Sequence, residues 1–153
     1  MVHILYSDTA AIRAAIGVTD KELPDNLFTD QQLELQVKTS LYKLFPTYDT
    51  LYTTGVSSEA EADEAYVSDL LTLYCTYYGA VRSIEMIMAM RQKITDGKQA
   101  VERFAIDWVA LLEVMKARLA EIVDALDDVL NTSDGGTAYF GKAVPDYDPV
   151  ANV

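Results

Sequence analysis

The sequence predicts an all-α protein, a helical bundle dominated by a long antiparallel helical hairpin, with two shorter N-terminal helices and an extended C-terminal tail. Three observations carry that prediction. Apolar residues recur at spacings of three and four over two long stretches, about 59–94 and about 98–131, where a half-buried strand would alternate. Only a few residues separate the two stretches, and long helices joined by so short a link fold back antiparallel. After Asn131 the periodicity stops among Gly135, Gly136, Gly141, Pro145 and Pro149. These residues suit an extended segment better than either regular element. The division that follows is a helical domain at 1–131, with its hairpin at about 59–131, and a tail at 132–153.

Taken in order, Ser7, Asp8 and Thr9 offer side-chain oxygens to the unpaired N–H groups of a helix start. Ile12 and Ile16 share one face after them, and Gly17 supplies a stop. Val18 to Asp25, interrupted by Pro24, reads as a connector of a single turn. Thr29-Asp30-Gln31-Gln32 fits a capping box for a helix whose buried stripe is Leu33, Val37, Leu41 and Leu44, ended by Pro46. Thr47 to Ser57, with Tyr48, Leu51, Tyr52, several threonines and Gly55, is poor for a helix but acceptable for a packed loop or a short strand, and reads as a loop.

Ser58-Glu59-Ala60-Glu61 is a second capping box, with acids where the helix dipole favours negative charge. The helix it opens runs from about Glu59 to about Ile94, roughly 54 Å at 1.5 Å per residue. Its seam is Tyr66, Leu70, Leu73, Tyr77, Val81, Ile84 and Met88, widened on one side by Val67, Leu71, Tyr74 and Tyr78. Gly79 inside it costs about 1 kcal/mol relative to alanine, a cost that a bend or a close approach would explain. Thr95-Asp96-Gly97-Lys98 reads either as the turn of a β-hairpin spanning Lys93 to Phe104 or as a link between helices capped by Asp96. Helical spacing downstream, through Val101, Phe104, Trp108, Leu112, Met115, Ile122 and Leu126, favours the link. The second long helix then spans Lys98 or Gln99 to about Asn131, roughly 50 Å.

Composition narrows function. The 24 acids against 12 bases give a charge of -12, which repels phosphates and disfavours sequence-independent nucleic-acid binding. A single cysteine, Cys75, cannot form an internal disulfide, and Met1 is followed by nothing resembling a secretory leader, so a reducing cytosol is expected. No apolar run reaches the roughly 18 residues of a bilayer span, so a soluble protein without a membrane partner is expected. His3 is the only histidine, which removes the Glu-x-x-His pairs of di-iron bundles and most nucleophile–histidine chemistry. Glycine-rich phosphate loops are missing, because Gly135-Gly136 follows a helix instead of opening one. Acid pairs such as Glu61 with Glu64, or Asp124 with Asp127 and Asp128, sit near helix ends where nothing desolvates them for proton transfer. Cys75 reads as a small buried hydrophobe, His3 as a surface residue and Met88 as core filling. The chain reads as non-enzymatic, with no catalytic, cofactor-binding or metal-ligating residue to assign.

Three features ask for explanation. Arg91, Lys93, Lys98 and Arg103 make the hairpin tip locally positive, whereas Glu59, Glu61, Asp63 and Glu64 open the first long helix. Asp124, Asp127 and Asp128 close the second, against its dipole; these poles read either as solubility through excess negative charge or as surfaces that meet a complementary neighbour or repel a polyanion. Tyr66, Tyr74, Tyr77 and Tyr78 spread over more than one side of a helix, in core packing or in subunit contact. Tyr139, Phe140 and Tyr147, set among glycine and proline, suit either a segment that orders on another protein or a merely frayed end. The candidate partner-binding residues are therefore Tyr139, Phe140, Tyr147, Arg91, Lys93 and Lys98.

The run from Ile12 to Asp25 (Ile12-Arg13-Ala14-Ala15-Ile16-Gly17-Val18-Thr19-Asp20-Lys21-Glu22-Leu23-Pro24-Asp25), followed by a long helical hairpin and an extended tail, resembles the head–tail connector (adaptor) proteins of tailed bacteriophages. The resemblance is one of layout over most of the chain and brings no catalytic residues with it. It implies a virion protein of the neck, made in the host cytoplasm, forming a ring of about a dozen copies that docks on the portal through its tails. Tail or neck proteins would be further partners, and DNA would pass through without sequence-specific binding. An acidic channel would let the duplex slide without adhering. The alternative is a small acidic helical binding module, a regulator, inhibitor or DNA mimic that engages a basic partner.

Overall fold

The computed structural model describes residues 2–30, 32–94 and 107–133. Over these the chain is all-α apart from one small hairpin. Two-residue strands, β1 (His3–Ile4) and β2 (Ser7–Asp8), pair antiparallel with His3 opposite Asp8 and Ile4 opposite Ser7. Leu5 turns the chain with a φ of 54°. Strands this short carry no alternation, so the sequence offered no signal for them. Asp8 then caps α1 (Thr9–Ile16), its carboxylate accepting from the Ala11 N–H at 2.8 Å. Gly17, at a φ of 82°, closes the helix by donating to the Arg13 carbonyl, as the start and stop residues predict.

The connector is partly helical. Helix α2 (Asp25–Asp30) follows directly on Pro24, whose missing N–H is no loss before a helix start. The expected capping box at Thr29 does not form. Thr29 donates back to the Asp25 carbonyl within α2, and α3 (Leu33–Leu44) begins after Gln32, at a φ of 52° and without a side-chain cap bond. Leu33, Val37 and Leu41 are buried as predicted, but Leu44 is 37% exposed and Phe45 takes the last core position.

Residues expected to form a loop form α4 (Tyr48–Gly55). The threonines are accommodated, since Thr53 donates to the Asp49 carbonyl one turn back. Packing overrides the poor propensity, with Gly55 pressed against α5 so closely that a Cβ would lie 2.2 Å from the Glu64 carbonyl oxygen.

Helix α5 (Ala62–Ile94) has 33 residues, about 50 Å at 1.5 Å per residue. It starts three residues after the expected Glu59. The reciprocal half of a capping box is nevertheless present, moved along by three, with Glu64 accepting from the Glu61 N–H at 3.0 Å. Its buried stripe is Val67, Leu70, Leu71, Tyr74, Cys75, Val81 and Ile84. Two members of the expected seam, Tyr66 and Leu73, are 49% and 43% exposed, so the helix is turned toward the residues expected only to widen it. Gly79 serves close packing, because a Cβ there would lie 2.5 Å from Ile12 Cδ1 of α1.

Asp107 caps α6 (Trp108–Ser133), accepting from the N–H groups of Val109 and Ala110 at 3.1 and 3.0 Å. A start at Lys98 or Gln99 was therefore about ten residues early, and α6 is about 39 Å long, shorter than α5. Leu112, Met115, Ile122 and Leu126 of α6 join α5 in one hydrophobic core that also takes Ile4, Ile12, Leu23 and Phe28 from the N-terminal region. Contact between α5 and α6 is the most extensive in the fold. Lys93 and Ile94 end α5, while the rest of the stretch to Phe104, where the alternatives would be decided, and the tail beyond Ser133 lie outside the described residues.

Candidate functional site

Arg91 and Lys93 fall in the last turn of α5, with side chains outside the described residues, and Lys98, Tyr139, Phe140 and Tyr147 lie outside them altogether. The acids at the other end are placed: Glu61, Asp63 and Glu64 at the start of α5, and Asp124, Asp127 and Asp128 in the second half of α6. Among the described residues no group of three or more His, Cys, Asp or Glu could hold a metal, and no helix is long and apolar enough to cross a membrane.

Several polar groups inside the fold fasten its elements together. Tyr6 stacks on Tyr52 with centroids 3.6 Å apart, meets Tyr48 edge-on, and donates to Asp49 at 2.8 Å, tying the N-terminal hairpin to α4. Burial, then the Asp49 carboxylate beside it, pushes the Tyr6 phenol well above the usual tyrosine range. Ser7 and Thr76 share a buried hydroxyl hydrogen bond at 2.7 Å that ties the same hairpin to α5. Arg13 reaches from α1 to the Leu23 carbonyl and the Asp25 carboxylate and lies over the Phe28 ring, while Thr9 also donates to Asp25. Tyr74 and Ser40 join α5 to α3 through their hydroxyls at 2.7 Å. Cys75 is fully buried, as expected, and burial pushes its thiol up to about 12, far from the thiolate a nucleophile requires. His3 is exposed.

The surface holds what the interior does not use. On α3 the outward face carries Leu35 and Tyr42, 58% and 65% exposed and seven residues apart on one line. Beside them a groove of about 340 Å³ runs between α3 and α5, lined by Leu35, Thr39, Ser40, Lys43, Tyr78 and Arg82. Arg82 lies over the Tyr78 ring and pairs with Glu85 at 2.8 Å, while Lys43 makes no ion pair among the described residues. On α5, Tyr66, Asp69 and Leu73 make an exposed line at spacings of three and four, and Val56 and Glu59, ahead of the helix, are exposed as well. Val109 and Val114 add exposed apolar area on α6.

The tyrosines of α5 were located from the sequence, with Tyr66 left open between core packing and subunit contact, but Leu73 was expected on the seam. Leu35 and Tyr42 went unnoticed, although their position opposite the Leu33, Val37, Leu41 stripe is readable from spacing alone. No protein-family model, no characterised protein and no solved structure matches the chain.

Proposed function

We propose that the chain is a structural subunit of the head–tail connector of a tailed bacteriophage, a non-enzymatic protein that packs against copies of itself in a ring and docks on the portal. One observation carries the reading. Among the described residues, Leu35, Tyr42, Tyr66, Leu73, Val109 and Val114 stay exposed on three different helices, outside the hydrophobic core that those helices share. Apolar residues spread over several helix faces, each interleaved with charge, match the anatomy of a subunit with more than one neighbour. The charge of -12 supports a channel that repels DNA and lets it pass. The layout of two long packed helices after short N-terminal ones supports the same reading.

That charge also supports a second reading, an acidic helical module that binds a basic protein. Copy number separates the two. Electron microscopy of the purified chain, alone and mixed with a portal ring, is expected to show rings with a central opening. Particles of one or two copies that leave the portal bare, yet bind a basic protein with steep salt dependence, would replace the first reading by the second.

A further inference from the structure

We infer that copies of this chain join head to tail through two surfaces of opposite charge, the cationic groove between α3 and α5 of one copy receiving the acidic edge of α5 of the next. This rests on the ring reading above and specifies its subunit contact.

The receiving surface combines Lys43 and Arg82 with the exposed apolar rim of Leu35 and Tyr42. In a chain with twice as many acids as bases, a groove presenting two cations is the exception that a negatively charged partner would select. Glu85 already pairs with Arg82, but the pair is half exposed and of the weak kind that exchanges partners readily. The entering surface offers the complement. Tyr66 and Leu73 flank Asp69 on one exposed line of α5, and Asp63 stands one turn before. Apolar contacts would form the centre of the interface and the ion pairs its register.

Their placement rules out self-satisfaction. Positions 74, 78 and 82 of α5 face α3, Tyr74 through its bond to Ser40 and the other two through the groove. At about 100° per residue, that side lies roughly 150° around the helix axis from positions 66, 69 and 73. One molecule cannot close its own groove on its own edge, so each copy meets one neighbour with each side. Contacts of this heterologous kind propagate, and close into a ring where the rotation between copies permits.

Charge reversal tests the pairing. Lys43→Glu and Asp69→Lys alter exposed side chains, and far-UV circular dichroism with urea unfolding checks that each variant folds as the parent does. By sedimentation velocity at physiological ionic strength, each variant alone is expected to associate about tenfold more weakly than the unaltered chain. An equimolar mixture is expected to recover, because the reversed groove of one variant meets the reversed edge of the other. The milder Lys43→Ala and Asp69→Ala should each weaken association about two- to fivefold. Variants that assemble as the parent does, or a mixture that fails to recover, would overturn this contact and leave the ring reading standing. A parent chain that stays monomeric at every concentration and forms no ring on a portal would overturn both.

Discussion

Replacing Gly55 by alanine probes the packing of α4 on α5, the part of the fold least expected from the sequence. A Cβ at that position would lie 2.2 Å from the Glu64 carbonyl oxygen, 2.6 Å from Ser68 Cβ and 3.0 Å from the Glu64 carbonyl carbon. Two of those three atoms are backbone of the first turns of α5, so no side-chain rotation relieves the clash. Relief requires α4 to withdraw by about 1 Å to restore van der Waals distance, loosening the contacts between the two helices. Overpacking of this kind costs about 1–3 kcal/mol. Because Gly55 is the last residue of α4, little of the helix-propensity gain from alanine offsets it. We expect Gly55→Ala to lose about 2 kcal/mol, read as a fall of about 1 M in the urea midpoint at unchanged slope, or about 6 °C in Tm. Gly17→Ala is the control. A Cβ there meets nothing within 4 Å, so only the left-handed backbone at a φ of 82° is penalised, by about 1 kcal/mol. A Gly55→Ala protein within about 0.5 kcal/mol of the parent, with Gly17→Ala the worse of the two, would refute the packing argument.

Two further outcomes follow from buried polar groups. The Cys75 thiol, with an ordinary value of 9.0, is pushed up to about 12 by burial, so the folded state keeps a proton that the unfolded chain sheds first. Its stabilising share is complete below about pH 9 and is lost as pH rises toward 12, at up to about 1.4 kcal/mol per pH unit. Burial raises Tyr74 in the same direction, and Cys75→Ala should therefore flatten, without abolishing, the alkaline fall in urea midpoint; an unchanged slope would contradict the assignment. Ser40→Ala leaves the buried Tyr74 hydroxyl without its bond and should cost about 1–2 kcal/mol, whereas adding Tyr74→Phe should recover most of the loss, and strict additivity in that double-mutant cycle would contradict the pairing.

Where local chemistry and tertiary packing agreed, the sequence was legible. Asp8, Ile12, Ile16 and Gly17 specify α1 because cap, stripe and stop all act within one short segment. The Leu33, Val37, Leu41 stripe of α3 and most of the extent of α5 were readable from apolar spacing alone, although neither expected cap formed. Helix α4 was not, because its threonines and terminal glycine disfavour a helix until α5 packs against it, and that contact is non-local. Capping signals were displaced where several polar residues competed: Glu64 rather than Glu61 reaches back, and Asp107 rather than Asp96 caps α6. The rotation of α5 misled the seam, since its apolar residues cover so wide an arc that periodicity cannot say which edge meets the core. That same excess arc leaves Tyr66 and Leu73 outside, and the candidate surface was thus half visible, as too many apolar residues for one helix face.

The central claim is that this protomer carries more apolar helix surface than it hides and completes itself with copies of its own kind. Sedimentation velocity of the full chain from micromolar to millimolar concentration at physiological ionic strength tests that claim most directly. Reversible growth into one closed species of defined copy number is the predicted result. A single monomeric boundary across the whole range, with Tyr42 and Tyr66 as accessible to solvent quenchers at the highest concentration as at the lowest, would contradict it.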